Sequence, residues 1–373
     1  MIPTPTTPEL APIRKLPALL VNQIAAGEVV ERPASVVKEL IDNALDAGAS
    51  RITLELRSGG IELVRVTDNG RGIPAGDLPL AIAPHATSKI SAAADLDKIA
   101  TMGFRGEALA SIASVSRLGI RSRTAAQVEA AELNIEGDVV GAARPASGPV
   151  GTSVTVRNLF FNTPARRKFL RTPTTEQGHC VDAATALALS HLAVGFDVSA
   201  DERTVLDLPP DQSPRERALA VLGAELEHQL LEVHADRFDD ARGMALWGLA
   251  GLPALARATA KSQYLFLNGR PIRDRTVQHA VKEAYRGLID PGRYPTVVLL
   301  IEMDPGAVDV NVHPQKTEVR FRDGSMVHST VLRALREALQ AADLTPEVAW
   351  GAGGGGRPGA APTPQTYGLP GAG

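Results

Sequence analysis

Apolar positions along this chain recur with two periods. From Pro33 to Ala47 they fall at Val37, Leu40, Ile41 and Ala44, a three-and-four spacing that lines up along one side of a helix. Pro33 suits the first turn, where its missing N–H costs nothing, and Gly48 suits the residue that closes the helix. Two short strand-like runs follow, Ile52–Leu56 and Leu63–Val66, joined by Ser58-Gly59-Gly60. Further helices are expected over Glu107–Ser114, Glu176–Leu192, Pro214–Leu222, Asp274–Leu288 and Val327–Ala341. Further strands are expected over Leu118–Ser122, Ser153–Val156, Asp197–Ser199, Met244–Leu249, Tyr264–Leu267 and Thr296–Ile301. A polar, proline-bearing break at residues 208–214 separates two parts, each mixing helices with strands. The pattern predicts an α+β chain of two folded domains.

Composition narrows this picture. With 373 residues, 44% hydrophobic and 22% charged, most of the chain can bury a core, built from aliphatic side chains because aromatics reach only 4%. The stretch from Gly351 to Gly373 holds 9 Gly and 4 Pro and cannot bury enough apolar area to offset its ordering entropy. It reads as a flexible linker tethering a further part of a longer protein. The expected divisions are a proline-rich extension over 1–14, a first domain over 15–212, a second over 213–342 and the disordered linker over 343–373. Lys and Arg total 39 against 42 Asp and Glu, so a globally basic protein is excluded and any nucleic-acid contact must use local patches. The single cysteine, Cys180, excludes an internal disulfide framework and a cysteine-based zinc site. There is no apolar run of membrane-spanning length and no signal peptide, so a cytoplasmic protein without membrane contact is expected, nucleoid-associated if bacterial.

The sequence lacks GxxxxGK[ST], HExxH, CxxC and GxSxG, and its eight histidines are too scattered to support a His-rich metal cluster. The GxGxxG match within Gly351–Gly356 lies in low-complexity sequence and carries no nucleotide reading. Four patches could carry chemistry. Glu39 and Asn43 share one helical face, where a carboxylate and an amide can pair a general base with an oxygen ligand for Mg²⁺; taken alone, the solvated flank of an amphipathic helix is the simpler reading. Asp68-Asn69-Gly70-Arg71-Gly72 follows a strand and could present a carboxylate to an adenine amino group, or be a plain turn. Gly103–Leu109 opens a helix whose free N–H groups could meet phosphate, or is an ordinary helix start. Lys316, beyond the break, could reach a terminal phosphate or face solvent.

Longer segments single out a family. Asn22–Pro33 (NQIAAGEVVERP), Gly103–Leu109 (GFRGEAL) and Asn311–Lys316 (NVHPQK) closely resemble signature segments of the MutL family of DNA mismatch repair proteins. So do Gly151-Thr152, Asn162–Leu170 (NTPARRKFL) and Leu267–Arg270 (LNGR), and the resemblance covers about residues 13–340. It implies the ATPase fold shared with gyrase B, the large heat-shock chaperones and histidine kinases: an α/β sandwich with ATP between a sheet and a mobile lid, followed by a smaller α/β domain.

The resemblance also implies roles. Glu39 would be the general base and Asn43 the Mg²⁺ ligand; Asp68 would hold the adenine amino group, with Gly70 and Gly72 shaping that pocket. Thr87 would line the pocket, Gly103, Phe104, Arg105, Gly106, Glu107, Ala108 and Leu109 would cover the phosphates, and Lys316 would contact the γ-phosphate. Pro84 replaces a common Arg and Asp42 a common Glu. Two basic segments, Arg166, Arg167, Lys168 and Arg171, then Arg270, Arg273, Arg275, Lys282 and Arg286, would meet DNA phosphates without reading sequence. The implied partners are the mismatch-recognition protein MutS, a downstream helicase or nuclease, and a second copy joined through the N-terminal region on ATP binding and through a further C-terminal domain. Alternatives are a topoisomerase-like or kinase-like ATPase of the same fold, or a nucleotide-binding scaffold without useful hydrolysis.

Overall fold

A computed structural model of the chain describes residues 23, 26–27, 29–83, 86, 107–137, 139–237, 243–309 and 319–342. The expected linker and the N-terminal extension lie outside them. Helix α1 (Pro33–Asp46) begins on Pro33 and buries Val36, Val37, Leu40, Ile41 and Ala44, and Gly48 just beyond it has φ +74°. The two expected strands, β1 (Arg51–Arg57) and β2 (Leu63–Asp68), pair antiparallel, and β1 alternates exposed and buried residues along its length.

A short helix α2 (Ala108–Ser114) leads into β3 (Arg117–Arg123), β4 (Ala130–Glu136), β5 (Val139–Val140), β6 (Arg144–Ala146) and β7 (Gly151–Arg157). Helices α3 (Pro164–Phe169) and α4 (Pro173–Ser190) precede β8 (Gly195–Ala200) and β9 (Arg203–Leu208). These strands make one nine-stranded sheet in the order β5-β4-β3-β7-β2-β1-β8-β9, with β6 on β4. Only the β1–β8 junction is parallel among its pairings, and α4 supplies the crossover toward it. Its inner face packs on α1 and α4 through Ile52, Leu54, Leu56, Val64, Val66, Val156 and Phe196. Its outer face carries ion pairs such as Arg65–Glu55 and Arg51–Asp197, the polar-out arrangement of a sheet covered on one side.

Helix α5 (Pro214–Leu222) opens with a full capping box, Ser213 and Glu216 bonding each other's backbone. Strands β10 (Leu230–Arg237), β11 (Met244–Gly251), β12 (Gln263–Leu267), β13 (Arg270–Pro271) and β14 (Val297–Met303) form a second mixed sheet in the order β10-β11-β14-β12-β13. Helix α6 (Arg275–Ala284) lies between β13 and β14, and β15 (Val308–Asp309), β16 (Arg320–Phe321) and α7 (Gly324–Ala341) follow. Both faces of this sheet are covered. Val297, Leu299 and Ile301 of β14 pack with α6 and α7, whereas Val298 joins Leu189 of α4 and Ala218 of α5 in a separate cluster. That explains why β14 reads as a continuous apolar run.

The residues settle into the α+β class expected from the pattern, with some differences. Helix α4 starts at Pro173, where Thr172 caps it, and α6 stops at Ala284 rather than Leu288. Buried Tyr285 ends α6 by donating its hydroxyl to the Gly251 carbonyl at 2.6 Å. Strands β4, β9 and β10 are not among the expected strands. They are edge or near-edge strands; β9 lacks alternation, whereas β4 does alternate, burying Leu133 and Ile135 and exposing Asn134 and Glu136, a period-two signal present in the sequence.

Candidate functional site

A cleft of about 1710 Å³ opens over the inner end of the first sheet. Helix α1 forms one wall. Ser35, Glu39, Asn43 and Ala47 recur every four residues and so fall on one face, and all four line the cleft. The buried stripe a third of a turn away fixes that face in place. Val66, Thr152 and Val154 of β2 and β7 form the floor, and Glu107, Ala108 and Leu109 at the start of α2 reach the rim. Lys261, Gln263, Tyr264 and Arg273, from the second sheet and its flanking turns, supply the opposite wall.

Asp68 sits where β2 enters this cleft, 9% exposed. Its Oδ1 accepts the Gly70 N–H at 2.8 Å. Burial pushes its carboxyl above the ordinary range, and hydrogen bonds from the Gly70 and Thr152 backbone only partly offset that. A desolvated carboxylate in a cleft is a candidate for binding a ligand. Beneath it Ser122 links the surrounding chain: its hydroxyl accepts the Ile73 N–H at 2.8 Å, lies 2.9 Å from the Thr152 hydroxyl and 2.9 Å from the Gly151 carbonyl.

The glycines here have different reasons. Gly72 has φ +74°, and a Cβ there would lie 2.2 Å from the Arg123 carbonyl oxygen, so only glycine lets this segment pass into the cleft. Gly70 does not line the cleft; its missing side chain makes room for Ala47 at the end of α1, whose carbonyl and Cβ a Gly70 Cβ would approach to 2.8 and 2.9 Å. Asn69 is structural too, its Oδ1 accepting the Ser50 and Arg51 N–H groups at 2.9 Å each.

The structure thus brings Glu39, Asn43, Asp68, Gly72, Glu107, Ala108 and Leu109 to one cavity. Thr87, Gly103, Phe104, Arg105, Gly106 and Lys316 lie outside the described residues, as does Pro84. Asp42 does not itself line the cleft; it is 2% exposed and pairs with Lys38 at 3.1 Å. Burial raises its carboxyl despite that ammonium. Lys38 lines the cleft; burial pulls its ammonium down, but the neighbouring Asp42 and Glu39 carboxylates outweigh that and leave it raised. Lys38 and Arg32 are cleft residues the sequence did not single out, though the helical spacing from Ser35 to Ala47 could have found the face they flank.

The basic segments divide. Arg167 and Lys168 of α3 are exposed. Arg166 is half-buried, its Nη2 donating to the Gln23 carbonyl at 2.6 Å, and a side chain on Gly27 would collide with it. Arg273 faces the cleft, Arg270 is half-buried on β13 and Arg275 is exposed at the first turn of α6. Buried Cys180 is 3.7 Å from the Gly59 carbonyl, and burial pushes its thiol up to about 12, which leaves it without nucleophilic character at neutral pH.

With this geometry in view, similarity becomes informative. Residues 31–141 match the family described as histidine kinase-, DNA gyrase B-, and HSP90-like ATPase, and residues 218–340 match the family described as DNA mismatch repair protein, C-terminal domain. The chain is 50% identical over 339 residues to the DNA mismatch repair protein MutL of Pseudomonas putida, covering 90% of this chain and 53% of the relative. It is 49% identical over 344 residues to MutL of Xylella fastidiosa, covering 92% and 55%. The chain therefore spans about half the length of the curated relatives it matches. Among solved structures, the N-terminal domain of a DNA repair protein superposes with a TM-score of 0.74 at 25% identity, covering 86% of this chain and 98% of that one. The Aquifex aeolicus MutL ATPase domain complexed with ADP superposes with a TM-score of 0.57 at 28% identity, covering 81% and 98%. No described helix is long and apolar enough to cross a membrane. The cleft between α1 and the first sheet, the second mixed sheet and these similarities agree: the chain belongs to the MutL family of DNA mismatch repair proteins and carries its N-terminal ATPase region.

Proposed function

We propose that this chain hydrolyses ATP with water in the α1 cleft, and that ATP binding joins two copies into a clamp on DNA that hydrolysis resets. The observation that carries the reading is the convergence of Glu39, Asn43 and Asp68, remote in role but not in space, on one cavity. Phosphoryl transfer to water asks for positioning and charge neutralisation more than covalent chemistry. Glu39 is the general base that takes a proton from the attacking water, and α1 holds it rigidly. Asp68 accepts the adenine amino group, which suits a carboxylate already stripped of water. The oxygen-bearing side chain of Asn43 fits a hard divalent cation, so Asn43 would hold Mg²⁺, whose chemistry is to neutralise phosphate charge. We propose Thr87 as pocket lining, Gly103–Leu109 as the phosphate cover and Lys316 as the γ-phosphate contact, with the ATP-binding domain over 15–212 and the second domain over 213–342.

DNA contact is assigned to exposed Arg167, Lys168 and Arg275 and to half-buried Arg270, whose cationic groups can meet phosphates without reading sequence. Arg166 contributes by holding the segment at Gln23, and Arg273 by serving both the cleft and the DNA-facing side. We propose as partners the mismatch-recognition protein MutS and a repair helicase or nuclease, as the family resemblance implies. The test is ATPase rate per chain against protein concentration, with and without DNA at several salt concentrations. The rate should rise with concentration and respond to DNA in a salt-sensitive way. A rate indifferent to both would remove the clamp, and no phosphate release would leave a nucleotide-binding scaffold.

Asp68→Asn separates binding from stability. A carboxyl raised above its unfolded value adds stability fully present below the unfolded value, about 3.9, and lost as pH rises through the folded value. At neutral pH its ionisation is therefore a cost, and asparagine removes it while Oδ1 can still accept the Gly70 N–H. The variant should unfold at or above the wild-type temperature at pH 7 yet bind ATP roughly 10–100-fold more weakly. Unchanged affinity by isothermal calorimetry would remove Asp68 from adenine recognition.

A further inference from the structure

We propose that the surface shared by α6 and α7 is a binding site for a divalent transition metal, zinc foremost, made by His279, Glu283 and His328. In sequence the histidines are scattered, and spacing alone argues against a cluster. The fold reverses that. Helix α6 buries Val277, Ala280, Val281 and Ala284, and α7 buries Val327, Val331, Ala334 and Leu335, in one core cluster. This packing leaves His279 and Glu283, one turn apart on α6, at the edge of the seam where His328 of α7 emerges.

His279 Nδ1 lies 2.9 Å from His328 Nε2, His328 Nε2 lies 3.4 Å from Glu283 Oε2, and His279 Nδ1 lies 4.0 Å from the same oxygen. Ligand atoms at about 2.1 Å from a tetrahedral zinc ion stand roughly 3.4 Å apart, close to the middle of those three separations. Shifts of about half an ångström would bring the two rings and the carboxylate onto one ion. The two rings stack with centroids 5.1 Å apart. Nitrogens at 2.9 Å share one proton, one ring donating to the lone pair of the other; a metal ion replaces that proton and draws on both lone pairs.

Glu283 Oε1 is 3.4 Å from Arg336 Nη2, which orients the carboxylate and leaves Oε2 toward the histidines. Two imidazoles and one carboxylate favour zinc, copper, nickel or cobalt over magnesium or calcium, which seek oxygen ligands. Three protein ligands leave a fourth position for water or an outside group. None of the three residues lines the α1 cleft, so this ion is separate from the nucleotide's magnesium. Arg275 lies one turn before His279 on the same face of α6, so a bound ion would add positive charge beside the basic segment.

Equilibrium dialysis of the tag-free chain against zinc sulfate, read by atomic absorption, tests the site. The wild type should hold one more zinc ion per chain than His279→Ala/His328→Ala, and cobalt(II) should give a four-coordinate visible spectrum only in the wild type. Glu283→Gln should weaken zinc roughly 10–100-fold, and His234→Ala, at an unrelated His–Asp pair, should change nothing. His279 and His234 are exposed and Glu283 and His328 half-buried, and melting in EDTA verifies that each variant is folded. Zinc should raise the unfolding temperature of the wild type and not of the double variant. Equal zinc content in wild type and double variant, or no saturable uptake by the wild type up to roughly 100 μM, would overturn the site.

Discussion

Glu39→Ala is expected to reduce the rate of phosphate release by roughly 10²–10⁴-fold while ATP affinity stays within a few-fold of wild type. The size follows from what the carboxylate supplies. Water attacking phosphorus must lose a proton, and a base held on a rigid wall of the site supplies a proton acceptor at the right moment without reorganisation. Glu39 is half-buried on α1, one residue from Leu40 and two from Ile41, both of which are sealed in the core. Truncation removes the base without disturbing that packing. Glu39→Gln is the sharper variant, because it keeps the shape and hydrogen-bonding reach and cannot accept the proton. Single-turnover phosphate release beside equilibrium nucleotide binding separates the steps. Equal turnover in both variants and the wild type would remove Glu39 as the base; a matching loss of binding would make it a ligand-holding group instead.

Arg217→Ala is expected to destabilise the fold on the order of 3–5 kcal/mol, a large share of the stability of any domain. Arg217 is 0% exposed and has no carboxylate partner among the described residues; backbone carbonyls solvate it instead. Its guanidinium donates to the carbonyls of Ala188 at 2.9 Å, Leu192 at 3.0 Å, Val194 at 2.9 Å and Pro209 at 2.7 Å, and to Gln212 Oε1 at 2.6 Å. These acceptors come from the end of α4, the approach to β8 and the loop after β9. One side chain of α5 therefore ties three parts of the first sheet's surroundings together. Alanine would leave the carbonyls buried and unpaired, each costing about 1–3 kcal/mol before water enters. Lysine should recover only part, since an ammonium has three donors at one point and cannot span the same fork. Thermal unfolding monitored by circular dichroism measures the difference, at roughly 2–4 °C per kcal/mol for domains of this class. A wild-type melting temperature for Arg217→Ala would mean water replaces the guanidinium without loss.

Both predictions rest on residues with opposite histories in the sequence. Glu39 and Asn43 were legible because helical spacing is local: four residues is one turn, and the apolar stripe says which way the helix faces. Arg217 was not. Nothing in Pro214–Leu222 distinguishes buried Arg217 from half-buried Arg215, since four of its acceptors are backbone carbonyls 8 to 29 residues away. The same limit hid the role of Arg166, folded onto Gln23 across 143 residues, and the position of Arg273 in the cleft. Gly70 was readable as a special position but not as one that accommodates Ala47, because sequence records the absence of a side chain and not what fills the space.

By itself, the sequence determined the α+β class, the placement of α1 and the paired strands β1 and β2, and, through its signature segments, the family. Periodicity and turn residues encode these over a few positions, where backbone geometry leaves few options. Tertiary structure alone decided which remote side chains share a cavity or a seam: Asp68 with Glu39, Arg217 with its carbonyls, His279 and Glu283 with His328. Those contacts depend on strand order and helix packing, which bring distant positions to hydrogen-bond range without leaving any short-range trace in the order of residues.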